Sequence, residues 1–151
     1  MNTSWKKTLA ALLWILVVAV APSSAKDESI DQLIARADAA QPGQQPDLYL
    51  EAAERELKAT VESYKANRPQ DGRAGLEKIV TYADKAHASA IHSSKRLPHT
   101  EIKIRRISTR LRDLKSNVDV DDQPLIQTAI DKLEDFRTDL LRSLFPSNKH
   151  D

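Results

Sequence analysis

The stretch RAGLEKIVTYADKAHASAIHSSKRLPHTEIKIRRISTRLRDLKSNVDV, residues 73–120, decides how this chain folds. Leu76, Ala83, Ala90, Leu97, Ile104, Leu111 and Val118 are spaced seven apart and all are apolar. Companion apolar positions fall at Ile79/Val80, Ala86, Ile107 and Leu114, which is the three-to-four-residue recurrence of an amphipathic helix. Beside Pro98 the stripe weakens, turning polar at Ser93/Ser94 and Thr100/Glu101, yet its phase survives the proline. Two arrangements compete. A proline inside a helix removes one hydrogen bond and costs about 3 kcal/mol, which argues for a tight turn. A chain that turned back would keep one phase on both sides only by accident, so the register favours a continuous, Pro-kinked central helix.

The flanks have the same character. Ser29 and Gln32 form an S-x-x-Q capping box opening a short helix to about Ala40, with Ile30, Leu33, Ile34 and Ala37 as its buried stripe. After Pro42 and Gly43, Pro46 suits the opening turn of a second helix running to about Asn67, with the stripe Leu50, Ala53, Leu57, Val61 and Tyr64. Arg68-Pro69-Gln70-Asp71-Gly72 reads as a breaker. Beyond Asn117, the acidic link Asp119-Val120-Asp121-Asp122 is placed to cap a last helix that contains Pro124 and runs to about Phe145. Its stripe is Ile126, Ala129/Ile130, Leu133, Phe136, Leu140 and Leu144. No strand signal competes, so the expected fold is all-α: an antiparallel assembly of four to five helices with a long central one.

The N-terminal 25 residues read as a targeting segment. Lys6 and Lys7 precede the apolar run Leu9 to Ala21, which at 13 residues is short for a span needing about 20. Ser23 and Ala25 place small side chains before a cut after Ala25. The expectation is a cleavable signal peptide (1–25), a helical domain (26–146) with no transmembrane span, and a frayed tail (147–151), in a periplasmic or secreted protein. Removing 25 of 151 residues leaves 126, and removing two of 23 basic residues leaves 21 against 22 acidic ones. That balance points to no particular partner. Cysteine is absent, which excludes disulfides, thiolate metal sites and cysteine nucleophiles. One domain of this length can bury a core without such staples.

Charge is uneven along the chain. Residues 95–115 carry eight basic side chains, Lys95, Arg96, Lys103, Arg105, Arg106, Arg110, Arg112 and Lys115, against Glu101 and Asp113. Such a segment could hold phosphates of an anionic membrane surface or another polyanion. The competing and favoured account is pairing with the acid-rich second and last helices. No Tyr, Phe or Trp lies between Ile91 and Ile126, so a base-stacking platform is missing and nucleic acid is a poor candidate. Among the histidines, Asp84 and His87 are three apart, but His87 and His92 are five apart, about 140° around a helix, and do not converge on one ion. No nucleophile elbow, S-x-x-K or glycine-rich phosphate loop is present, so no catalytic, cofactor-binding or metal-binding residue is assigned. The expected function is a non-catalytic interaction or scaffold protein that binds another envelope or secreted protein, or a second copy of itself. Its expected docking face is Ile104, Ile107, Leu111 and Phe136, left bare on the two-helix layer that the last helix makes with the distal half of a continuous central helix.

Overall fold

A computed structural model describes residues 28–146; the expected signal segment (1–25) and C-terminal tail (147–151) lie outside them. All five regular elements among the described residues are helices: α1 (Ile30–Ala39), α2 (Gln45–Lys65), α3 (Pro69–Ser93), α4 (Leu97–Lys115) and α5 (Gln123–Leu144). The all-α expectation holds.

The capping box forms as its residues dictate. The Ser29 backbone amide donates to Gln32 Oε1 at 3.0 Å and the Gln32 backbone amide donates to Ser29 Oγ at 3.2 Å, so each amide, lacking a helical partner, is satisfied by the other residue's side chain. α1 buries Leu33 and Ala37 and packs along α2. Its C-terminal turn is tied down where Tyr49 Oη donates to Asp38 Oδ1 at 2.5 Å and Lys85 Nζ donates to the same oxygen at 3.0 Å. Those donors hold the Asp38 carboxyl below its ordinary range. Burial, and the bond to Asp38, push the Tyr49 phenol up to about 12.

The segment 68–72 breaks the chain less than its composition suggests. Asn67, with φ of 55°, closes α2, and Pro69 already opens α3 in a first turn where its missing N–H is not needed. Gly72 therefore lies inside a helix rather than in a turn. Its role is close approach: a Cβ there would lie 2.5 Å from Tyr64 Cε2. One turn on, a Cβ at Gly75 would overlap the Thr60 hydroxyl. The absent side chains let α2 and α3 pack tightly as an antiparallel pair, with Lys78 reaching Glu56 farther along.

The continuous central helix does not form. α3 stops at Ser93, and Ser94 and Arg96 adopt left-handed conformations with φ of 53° and 64°. Two such non-glycine residues cost on the order of 1–2 kcal/mol each, about as much as the interior proline they avoid. Pro98 instead occupies the first turn of α4. Burial decides between these near-equal costs. Turning back brings the α4 stripe of Ile104, Ile107 and Leu111 onto the core made by Leu57, Leu76, Ile79, Ile130 and Leu133. Each large aliphatic buried this way contributes roughly 1.5–3 kcal/mol. The shared heptad phase is thus the phase of two separate helices that each present one face to a common interior.

Cross-helix pairs fix the topology. Ser108 meets Glu134 and Glu101 meets Arg137, so α4 and α5 are antiparallel. Arg73 meets Asp122 and His87 approaches Asp139, so α3 and α5 are parallel. Asp47 meets Arg96 and Glu54 meets Lys103, so α2 and α4 are parallel. The result is an up-down-up-down four-helix bundle in the order α2, α3, α5, α4 around its perimeter, with α1 laid against α2. At the start of α5, the Asp122 carboxylate does not cap the helix; it accepts from Arg73 Nε at 2.6 Å and ties α5 to α3.

Candidate interaction surfaces

The turn at residues 94–96 changes the standing of the expected docking face. Ile104, Ile107 and Leu111 are no more than 1% exposed, enclosed by the other helices of the bundle. The face is interior because the distal half of the central segment folds back on the proximal half instead of extending away from it. Phe136 alone remains partly exposed, stacked on His87 with ring centres 5.0 Å apart and planes 18° from parallel.

The basic segment divides. Arg96 pairs with Asp47 at 3.1 Å, Lys103 with Glu54 at 2.9 Å, Arg105 with Glu101 at 3.9 Å, and Arg112 with Glu134 at 2.6 Å. Lys115 donates to Gln127 Oε1 at 2.7 Å. Three of the eight, Arg96, Lys103 and Arg112, thus meet carboxylates of the acid-rich α2 and α5, while Arg105 pairs within α4 itself. Lys95, Arg106 and Arg110 make no ion pair among the described residues. The densest network crosses the α4/α5 seam. Glu134 accepts from Ser108 at 2.5 Å, Arg112 at 2.6 Å and Arg137 at 2.5 Å, while Arg137 also donates twice to Glu101, at 2.9 and 2.8 Å. Burial would raise the Glu134 carboxyl, but the Ser108 hydroxyl and the two guanidiniums outweigh it and hold the group below its ordinary value. Thr100 and Glu101, polar interruptions in the sequence stripe, are buried; Glu101 is there as the carboxylate for Arg137.

Two seams of the bundle are open. Between α3 and α5, a groove of about 380 Å³ has a floor of Leu76, Val80, Leu125 and Ala129 and a rim of Arg73, Glu77 and Lys132. Leu125, 47% exposed, stands off the α5 stripe and carries no periodic signal that would single it out in sequence. Between α2 and α4, two adjoining grooves of about 450 and 250 Å³ share Arg110.

His87 sits between two carboxylates, with Nδ1 3.7 Å from Asp84 and Nε2 3.7 Å from Asp139. Neither ring nitrogen has a hydrogen-bond partner among the described residues. Asp84 was legible as the i−3 neighbour; Asp139 comes from the parallel packing of α5, which no local pattern signals. No three His, Cys, Asp or Glu side chains converge as metal ligands among the described residues. No helix there is long and apolar enough to cross a membrane. Compared with protein-family models, curated proteins and solved structures, the chain gives no match.

Proposed function

We propose that the protein is an exported, non-catalytic helical interaction module that binds another envelope or secreted protein. The observation that supports this reading is the α3/α5 groove, whose floor is apolar over Leu76, Val80, Leu125 and Ala129 while its charges stand only at the rim. An apolar trough between two helices accepts an amphipathic helix through anchors at successive turns. A polar side chain on that floor has no partner to pair with once the trough is covered. Crosslinked pull-down from the native envelope fraction tests the reading. A partner captured by the wild type and lost with Leu125→Asp supports it, whereas equal recovery by both proteins sinks it.

Export rests on the short apolar run after Lys6 and Lys7 and on Ser23 and Ala25 before the expected cut. The secreted form then starts at Lys26. N-terminal sequencing of material from the periplasm or medium decides this, and full-length chain recovered in a membrane pellet defeats it.

The second reading, a polyanion or anionic membrane-surface binder acting through residues 95–115, is weakened by the pairing of Arg96, Lys103, Arg105 and Arg112 with carboxylates. Cosedimentation with anionic vesicles that disappears with added salt would favour it.

A further inference from the structure

The seam between α2 and α4 lies across the bundle from the α3/α5 groove, and its chemistry is different. Its floor is apolar, formed by Leu57, Val61 and Tyr64 of α2 with Ile107 and Leu114 of α4. The Glu54–Lys103 pair closes one end, and Lys65 and Asp113 stand at the other. From Glu54 to Lys65 the trough runs about 16 Å at 1.5 Å per residue, three turns of a helix. Arg106 and Arg110 line it from α4, one turn apart and so about 6 Å along the axis. Arg96, Lys103 and Arg112 of the same segment each meet a carboxylate from a neighbouring helix, whereas these two exposed guanidiniums meet none among the described residues.

We infer that the α2/α4 seam is a second docking site, and that its occupant is an amphipathic helix carrying acidic residues four apart along one flank. Glu or Asp at i and i+4 repeats the spacing of Arg106 and Arg110, so two guanidinium–carboxylate pairs form in register, each able to be bidentate. The apolar face of the same helix covers Val61 and Tyr64. A flat bilayer surface reaches the two guanidiniums but not that floor, and a single-headed amphiphile supplies one anion where the seam offers two cations. The site is independent of the α3/α5 groove.

Fluorescence anisotropy with the purified protein and a labelled helical peptide of about 14 residues, leucines every three or four positions and glutamates at i and i+4, tests the inference. The expected result is binding that weakens about tenfold or more in R106E/R110E. That double variant should in turn bind a copy of the peptide with lysine for glutamate. Val61→Asn should weaken the glutamate peptide as well, and Leu125→Asp on the opposite seam should leave it unchanged. If the charge-reversed protein loses helicity, R106Q/R110Q replaces it with the same expected loss. No binding by the wild type, or binding indifferent to both arginine variants, overturns the proposal. Cosedimentation with phosphatidylglycerol vesicles that depends on Arg106 and Arg110, without peptide binding, also overturns it and assigns the two arginines to a membrane surface.

Discussion

Gly75→Ala is the substitution for which helix propensity and packing disagree most clearly. Inside an exposed helix, alanine is better than glycine by about 1 kcal/mol. Gly75, however, is buried against α2, where the new methyl would overlap Thr60 Oγ1 and come within 3.2 Å of Thr60 Cβ and 3.3 Å of Glu56 Oε1. Thr60 cannot yield by rotating, because its β-branch puts a methyl where the hydroxyl leaves. The two helices must separate, and overpacking of this kind costs about 1–3 kcal/mol. A net effect of roughly 0–2 kcal/mol of destabilisation, in place of the 1 kcal/mol gain of an exposed site, is expected once the propensity gain is subtracted. The cause can be isolated because the Thr60 hydroxyl is buried without a hydrogen-bond partner among the described residues. Thr60→Ala therefore removes the obstacle without breaking a bond, and the double variant should be more stable than the sum of the single changes by about 1 kcal/mol or more. Urea unfolding followed by far-UV circular dichroism measures all four corners of the cycle. A Gly75→Ala protein more stable than wild type by the full propensity gain, or additivity of the two changes, would refute the close-approach account of α2 and α3.

Leu133→Ala, which removes a fully buried side chain from the core, should cost about 2–5 kcal/mol by denaturant unfolding, and His87→Ala clearly less, since no hydrogen bond is lost with its ring. Burial raises the Glu56 carboxyl above its ordinary 4.5, with Lys78 only partly opposing it. A carboxyl whose folded value is raised penalises folding when ionised, and the penalty is relieved as pH falls through the folded value toward the unfolded one. Glu56→Gln should thus be more stable than wild type near neutrality, with a margin that shrinks on acidification toward 4.5; a margin that widens there contradicts the assignment. Glu134 has the opposite sign: its depressed carboxyl stabilises the fold above the ordinary 4.5, and this contribution is lost as pH falls through the lower folded value, so Glu134→Gln should flatten that part of the acid limb. Small-angle scattering of the 26–151 chain should give a radius of gyration of about 13–15 Å, as a closed bundle requires. A markedly larger value would restore the extended central helix.

The helical stripes were legible because each needs only a local period. Ser29 with Gln32, Pro46 in the first turn of α2, and the buried sets at Leu50, Ala53 and Leu57 or at Ile126, Ile130 and Leu133 all stand where the spacing puts them. What the period cannot carry is direction. Seven-residue spacing across Pro98 is equally satisfied by one helix and by two helices facing one core, and the choice lies in Ser94 and Arg96, neither a residue type that advertises a left-handed turn. The glycines misled in the converse way. Gly72 follows Pro69 and Asp71 as turn residues do, yet it is spent on contact with Tyr64, eight residues away in sequence and adjacent only because α2 and α3 pair.

The same non-locality governs the candidate sites. A docking face predicted from Ile104, Ile107, Leu111 and Phe136 follows from a two-helix layer with nothing on its other side, and it fails once the turn brings α2 and α3 onto that side. Conversely, the charge of residues 95–115 looks uniform in sequence and becomes selective only after pairing: opposing helices absorb Arg96, Lys103 and Arg112, Glu101 of α4 itself takes Arg105, and Arg106 and Arg110 are left over an apolar trough. That remainder is the informative quantity. Exposed ion pairs contribute at most about 1 kcal/mol each, so the paired arginines mainly set the register of α4 against its neighbours. Arg106 and Arg110 set no such register, and in the docking inferred above they contribute through the carboxylates of the incoming helix.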